Sequence, residues 1–276
     1  MSIAIVTDST ADIPRELAEQ YQIKTVPAIL VMDGVSMEDG AGITRQEFYK
    51  QLPYLEKPPS TATPSAGTFE KLYRQLIAEG FQKIISIHVS SLLSGIFATA
   101  QLAAKSFEDR ITVIDSGQIS LGLGFQAISA SEGIKAGLSM ESILQKVEDV
   151  RKRIRVIAML DTLEYVRRSG RVSWARARIG ALLDIKPFLE IREGRVLSLG
   201  QARTRQRGIK HLLELYKSLG TIERLGILHS NAEQDARELL SKLGTSLIHN
   251  PIIVNVTTII GTHVGPNGLG FAAILK

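Results

Sequence analysis

The chain has 276 residues, 44% of them hydrophobic, with 33 Lys/Arg, 28 Asp/Glu and no cysteine. That length is more than one hydrophobic core usually serves, so two domains are expected, and the apolar content excludes disorder. The missing cysteines exclude disulfides and thiol chemistry, no apolar run reaches the length of a membrane span, and Met1 to Asp8 lacks the basic flank and long apolar stretch of a signal peptide, so a cytoplasmic location is expected.

Charge is uneven. Residues 151–210 hold 16 Lys/Arg against 5 Asp/Glu, which leaves the remainder net acidic. Such a segment attracts a polyanion, an anionic membrane or an acidic protein, or it is a set of solvated helix faces.

Ile3 to Thr7 reads as a strand followed by Asp8-Ser9-Thr10, a capping sequence, and Pro14 opens a short helix to about Tyr21. Val26 to Met32 reads as a second strand. Thr44 and Glu47 form a capping box that predicts a helix to about Leu52. Residues 53–66, with four prolines, read as a loop. Phe69, Leu72, Tyr73 and Leu76 share a helical face within Phe69 to Glu79. Then come a strand at Ile84 to Val89, a helix at Ser94 to Lys105, a strand at Ile111 to Ile114, and helices at Gly124 to Ala136 and Met140 to Val150. Strands alternating with helices imply parallel crossovers.

The second half opens with a strand at Ile154 to Leu160 and helices near Thr162 to Arg168 and Trp174 to Leu182. Ile185 to Ile191 and Arg195 to Gln201 form a hairpin about Arg192-Glu193-Gly194. Amphipathic helices cover 204–219 and 232–243. Leu225 to His229, Ile252 to Ile260 and Leu269 to Leu275 read as strands. Consecutive strands predict mixed or antiparallel pairing. The expected architecture is therefore two α/β domains, 1–150 with a mainly parallel sheet and 151–276 with a mixed sheet.

Gly261-Thr262-His263-Val264-Gly265-Pro266-Asn267-Gly268-Leu269-Gly270 lies between two apolar runs. A loop of this kind brings a hydroxyl and an imidazole into a shared cleft, or is a glycine-rich hairpin that tolerates its histidine. Ser60-Thr61-Ala62-Thr63-Pro64-Ser65 offers hydroxyls that can donate to an anion, or that cap the next helix. Ser94 and Gly95 follow a strand and open a helix, where free N–H groups would receive a carboxylate or phosphate; the alternative is an ordinary helix cap. The small apolar stretches Gly95 to Ala104, which includes Ile96 and Phe97, and Gly122 to Ala130 could line a slot for an elongated ligand, or pack helix on sheet. Among Arg167, Arg168 and Arg171, the last follows a glycine at a helix end and is the choice for an anion. There is no P-loop and no Gly-x-Ser-x-Gly elbow, and the five histidines show no metal-ligand spacing, so no cofactor or metal is expected.

Taken in order, Thr7-Asp8-Ser9-Thr10-Ala11-Asp12, Thr61-Ala62-Thr63-Pro64-Ser65, Ser91-Leu92-Leu93-Ser94-Gly95, Ile114-Asp115-Ser116, Leu163 to Arg171, Lys186-Pro187, Ala202-Arg203-Thr204-Arg205 and the Gly-Thr-His-Val-Gly-Pro loop make a diagnostic series. The chain resembles the DegV family of bacterial fatty-acid-binding proteins over its full length. The resemblance implies a two-domain α/β protein that holds a long-chain fatty acid between its domains. It also implies a partner, an ATP-dependent fatty acid kinase subunit that converts the bound acid to an acyl phosphate for phospholipid synthesis. Carried over, the carboxylate would lie at Thr61, Ser94, Gly95, Arg171 and His263, with Thr63, Ser65, Ile96, Phe97 and Thr262 as loop and slot residues. The sequence departs from the family pattern at Ala62-Thr63, Ser169-Gly170 and Gly265-Pro266-Asn267-Gly268. Transient contact with an anionic membrane through the basic segment fits this picture, and nucleic acid does not.

Two other readings stay open on the residues alone. One is an acyl hydrolase with Ser94 as nucleophile, His263 as base and Asp115 as orienter. The other is a nucleic-acid-binding regulator that uses the basic segment, which lacks a helix-turn-helix or aromatic-rich pattern.

Overall fold

The computed structural model describes residues 2–172, 185–244 and 250–276. Along the chain run β1 (Ile3–Asp8), α1 (Arg15–Gln20), β2 (Ile23–Val26), β3 (Ile29–Met32), β4 (Val35–Glu38), α2 (Arg45–Gln51), β5 (Ser60–Ala62), α3 (Ala66–Ala78), β6 (Lys83–His88), α4 (Ile96–Ala104), β7 (Ile111–Asp115), α5 (Leu121–Lys135) and α6 (Met140–Arg153). They continue with β8 (Ile154–Met159), α7 (Glu164–Ser169), β9 (Lys186–Arg192), β10 (Arg195–Ala202), α8 (Arg205–Lys217), β11 (Ile222–His229), α9 (Glu233–Lys242), β12 (Ile252–Asn255), α10 (Thr258–Val264) and β13 (Leu269–Leu275).

The strands form three sheets. One is wholly parallel, in the order β2-β1-β6-β7. The second is mixed, in the order β10-β9-β8-β13-β11-β12, with only β11 and β12 parallel. A small antiparallel sheet, β4-β3-β5, stands beside them. The expected α/β architecture with a parallel and a mixed sheet is what the chain adopts.

Two apolar layers organise the mixed sheet, because successive residues of a strand face opposite ways. On β8, Ile157 and Met159 join a cluster with Leu212, Tyr216 and Phe271 beneath α8. Val156 faces the other way and joins the largest cluster, together with Ile5, Leu121 and Phe125. Helix α5 packs against strands of both large sheets. The carboxyl ends of β1 and β6 are tied by a buried polar series: Asp8 accepts from Thr10 Oγ1 (2.5 Å), from the Val89 N–H (3.0 Å) and pairs with His88 Nδ1 (3.0 Å). His88 Nε2 meets Ser86 Oγ, which meets Tyr73 Oη. These bonds fix the loops that leave the parallel sheet at the carboxyl ends of its strands.

Four expectations need correction. Val26 to Met32 is two strands in two sheets, β2 and β3, separated by Pro27, which cannot donate to a ladder. The proline-rich stretch 53–66 is not all loop, since Ser60–Ala62 pairs with β3 as a short edge strand. Ile252 to Ile260 is not one strand but β12 followed by α10, whose cap is Thr257. His263 is therefore carried on the last turn of a helix, not on a loop between strands. The helix expected at Trp174 to Leu182 lies outside the described residues.

Candidate functional site

Beyond the carboxyl edge of the parallel sheet lies a cavity of about 590 Å³. Its floor is the mixed sheet. Leu228, Gly270, Ala158 and Leu189 form one cross-strand row, and Val156, Ile191 and Val196 form the next; all line the cavity. Gly270 matters in that row: a Cβ there would come within 2.4 Å of the Ile157 carbonyl, so no larger residue fits the strand pairing. Helix α10 supplies Ile259, Ile260, His263 and Val264 from one face. Val166 and Val172 close a further side.

The polar end is assembled from four separate segments. Thr61 lies on β5 opposite Leu30 of β3, so its side chain shares the buried Leu30 face of the small sheet. His263 Nε2 meets Thr61 Oγ1 at 2.9 Å across 202 residues of chain. Ser94 and Gly95 border the cavity just before α4. Gly170, at φ 69 after α7, reverses the chain so that Arg171 reaches the rim, where its Nη1 donates to the Ser169 carbonyl at 2.6 Å.

His263 is neutral in this setting. Burial pushes its pKa from 6.5 down to about 4, and the Arg171 charge acts in the same direction. Its Nδ1 is buried without a protein partner. With one ring proton to place, the pair has two states. If Nδ1 carries the proton, Thr61 donates to Nε2 and the Nδ1–H, shut off from solvent, does not reach the cavity. If Nε2 carries it, His263 donates to Thr61 and the threonine hydroxyl is the free donor. Only the second state leaves an unspent donor, the Thr61 hydroxyl, in the cavity that Ser94 and Gly95 also line. The arrangement can orient a carboxylate without forming a buried ion pair to it.

Of the residues singled out in the sequence, Thr61, Thr63, Ser94, Gly95, Ile96, Arg171 and His263 line this one cavity. Ser65, Phe97 and Thr262 do not. Ser65 caps α3 by accepting from the Thr68 N–H at 3.1 Å. Phe97 is half-buried on α4 away from the cavity lining. Thr262 turns its hydroxyl back to the Thr258 carbonyl at 2.9 Å. The hydrolase series is not assembled: His263 bonds Thr61, Ser94 Oγ accepts from the Ile96 N–H, and Asp115 accepts from the N–H groups of Ser91 and Gly117. The small residues Gly122 to Ala130 lie buried in α5 and none lines the cavity. The sequence reading missed Thr10, Ser120 and the whole apolar floor; the alternation Val156, Ala158, Leu160 was the available signal for the floor.

Residues 2–276 match the family model described as an uncharacterised protein family, DegV. The chain belongs to the DegV family. It is 35% identical to Protein DegV of Bacillus subtilis, with complete coverage of both chains. A DegV-family protein from Thermus thermophilus, described as binding fatty acid, superposes with a TM-score of 0.93 at 32% identity over all of both chains. The crystal structure of Bacillus subtilis DegV, described as a fatty acid binding protein, gives 0.89 at 33% identity, again over all of both. The DegV fold thus extends along the full chain, and the cavity described above lies within it. Among the described residues, no helix is long and apolar enough to cross a membrane.

Proposed function

We propose that this protein binds one long-chain fatty acid, with its tail on the floor of the mixed sheet and its carboxylate at Thr61, His263, Ser94, Gly95 and Arg171. The supporting observation is a single cavity that joins a wide apolar floor to a polar end where Thr61 and His263 meet. Solved relatives described as fatty-acid-binding proteins add to it. Each buried methylene contributes about 0.8 kcal/mol, so a sixteen-carbon tail offers on the order of 10 kcal/mol before the costs of association. The tail then supplies affinity and the polar end supplies orientation.

The protein's role is to present that carboxylate to a separate ATP-dependent kinase subunit, which makes the acyl phosphate used in phospholipid synthesis. A neutral imidazole and hydroxyls, with Arg171 exposed at the rim where solvent screens its charge, suit a carboxylate that must stay nucleophilic, because a tight buried ion pair would stabilise the ground state against attack on ATP. Exposed Arg171 on the cavity rim, with exposed Arg167 one turn earlier on α7, gives the protein a basic patch for transient contact with an anionic membrane or an acidic partner face. The working division of the chain falls near residue 150, where it passes from the parallel to the mixed sheet.

The test is lipid extraction from denatured protein followed by mass spectrometry. One long-chain fatty acid per chain is expected. Purified protein that yields none, and takes up none from a fatty acid solution, overturns the reading. With a kinase subunit and ATP, Thr61→Ala is expected to lose acyl phosphate formation while it retains most of its lipid; equal loss of both would refute the split between tail and head.

A further inference from the structure

Four consecutive residues at the entry to α10 are each held by a different polar side chain from the first fifty residues. Arg45 Nη1 donates to the Asn255 carbonyl. Tyr49 Oη donates to the Val256 carbonyl at 3.0 Å. Asp12 Oδ1 accepts from the Thr257 N–H at 2.8 Å. Asp39 Oδ1 accepts from Thr258 Oγ1 at 2.8 Å. One turn on, a Cβ at Gly261 would meet Tyr49 Oη at 2.5 Å, so the helix lies directly on that ring. Two residues later comes His263.

We propose that Asp12, Asp39, Arg45 and Tyr49 form a polar clamp that positions α10, and with it His263 opposite Thr61, and that the proton held by the clamp's buried carboxyl group sets how firmly the helix stays down. These are positioning residues; none lies at the polar end of the cavity. The inference rests on the fatty-acid-binding reading for its consequence, not for its geometry.

The chemistry of the clamp supports a proton-linked role. It sets two carboxylates against one guanidinium. Asp12 is 2% exposed, and among the described residues its carboxylate bonds to Thr257 N and to Ser120 Oγ, the latter at 2.5 Å. Ser120 itself lines the cavity. The charged and titratable groups that face Asp12 are Arg45 and Tyr49 of α2 and Asp39 after β4. Burial raises the Asp12 pKa from 3.8 to about 7; Arg45 opposes the shift and Asp39 adds to it. One oxygen of Asp39, Oδ2, is buried without a partner, so the cluster is already short of donors. A protonated Asp12 keeps both bonds, with Oδ2–H donating to Ser120 and Oδ1 accepting from Thr257. An ionised Asp12 adds a second negative charge beside Asp39. Any motion that lifts α10 and wets Asp12 is therefore favoured as pH rises through the clamped-state value. Between pH 6 and pH 8 the opening equilibrium shifts by about tenfold if the opened carboxyl titrates normally.

The experiment follows release of cis-parinaric acid, a fluorescent long-chain fatty acid, from the full chain at pH 6, 7 and 8, alongside amide hydrogen exchange of the peptide covering 255–264, corrected for the intrinsic pH dependence. Wild type is expected to release about tenfold faster at pH 8 than at pH 6, with the same trend in amide exposure. Asp12→Asn keeps an acceptor for Thr257 and a donor for Ser120, so it should hold lipid well and lose the pH step. Asp12→Ala and Arg45→Met should release quickly at both pH values. A flat wild-type profile in amide exchange, or a pH step that survives in Asp12→Asn, overturns the clamp. If the probe never binds while the amide step is present and vanishes in Asp12→Asn, the clamp stands and the fatty-acid reading fails.

Discussion

Helices α4 and α5 are built from the same kind of sequence, small apolar residues opened by glycine, and do opposite things. At α5, Leu121 to Ser131 is buried without a break, and the helix packs against both large sheets. A Cβ at Gly122 would stand 2.6 Å from Val156 Cγ2, and one at Gly124 would stand 2.7 Å from the Ala11 carbonyl. The missing side chains are occupied by neighbours. At α4 only Ile96, Ala100 and Ala103 are buried, Ala98 and Leu102 face solvent, and the opening turn borders the cavity. Small residues make room in both places. What fills the room is decided by the strand opposite, and local composition cannot report that.

The comparison breaks most sharply at Gly122. Gly122→Leu forces either Val156 or the helix to move, and overpacking of this kind costs on the order of 3 kcal/mol. Urea denaturation should show it as a lower midpoint. A loss below about 1 kcal/mol would mean that α5 has slack against the mixed sheet, and the slot reading of that helix would return.

The start of α5 offers an electrostatic handle, through Ser120 and Asp12. A carboxyl raised to about 7 when folded and near 3.8 when unfolded stabilises the fold fully below pH 4, and that stabilisation is lost as pH rises to 7. The span is on the order of 4 kcal/mol. His263 works against it: its folded value is depressed to about 4, so its contribution is lost as pH falls from 6.5. The useful quantity is therefore the difference between wild type and Asp12→Asn. The variant should gain relative stability as pH rises from 4 to 7 and then level off. A difference curve that is flat from pH 4 to 8 would show that Asp12 titrates normally.

On the cavity side, Ala158→Trp fills the floor instead of crowding a neighbour, because Ala158 faces the cavity between Gly270 and Leu189. Fatty acid affinity should fall by roughly ten- to a hundred-fold, with stability changed by less than about 1 kcal/mol. Equal damage to both would mean the floor is core, not binding surface.

Much of the frame could be read in advance for physical reasons. Ile84 to Val89, apolar except at Ser86 and His88, is a strand of a sheet covered on both faces, and Thr44 with Glu47 makes the capping box that the helix uses. The polar end was legible as separate pieces, because Thr61, Ser94, Arg171 and His263 are all of anion-binding type. Their meeting was not, since it depends on β5 and α10. Three prolines flank β5 and hide it; it survives because an edge strand of three residues needs few donors. Helix α10 was masked by the β-branched run from Ile252 to Ile260, whose residues favour strands. Better signals were Thr257 as cap and Gly265 just past the end, at φ 77. The clamp residues were invisible, because nothing local links Asp12 or Arg45 to residues 255–258.

The smallest expected effect is at Gly95, and it sharpens the contrast because the same change at Gly122 would be so costly. Gly95 has φ −75, so alanine suits its backbone. Its Cβ would meet one atom, Thr63 Cγ2, at 3.3 Å, and Thr63 is exposed and able to turn aside. Gly95→Ala should therefore stay within about 0.5 kcal/mol of wild type in denaturation, with the helix gain offsetting the contact. The added methyl group stands where the carboxylate would approach the first N–H groups of α4. Fatty acid affinity should fall a few-fold while the tail contacts stay intact, and a fatty alcohol of the same length should lose less, because it needs fewer donors at that point. If acid and alcohol are weakened alike, the opening of α4 is a wall of the cavity like any other, and the carboxylate is held by Thr61, His263 and Arg171 without it.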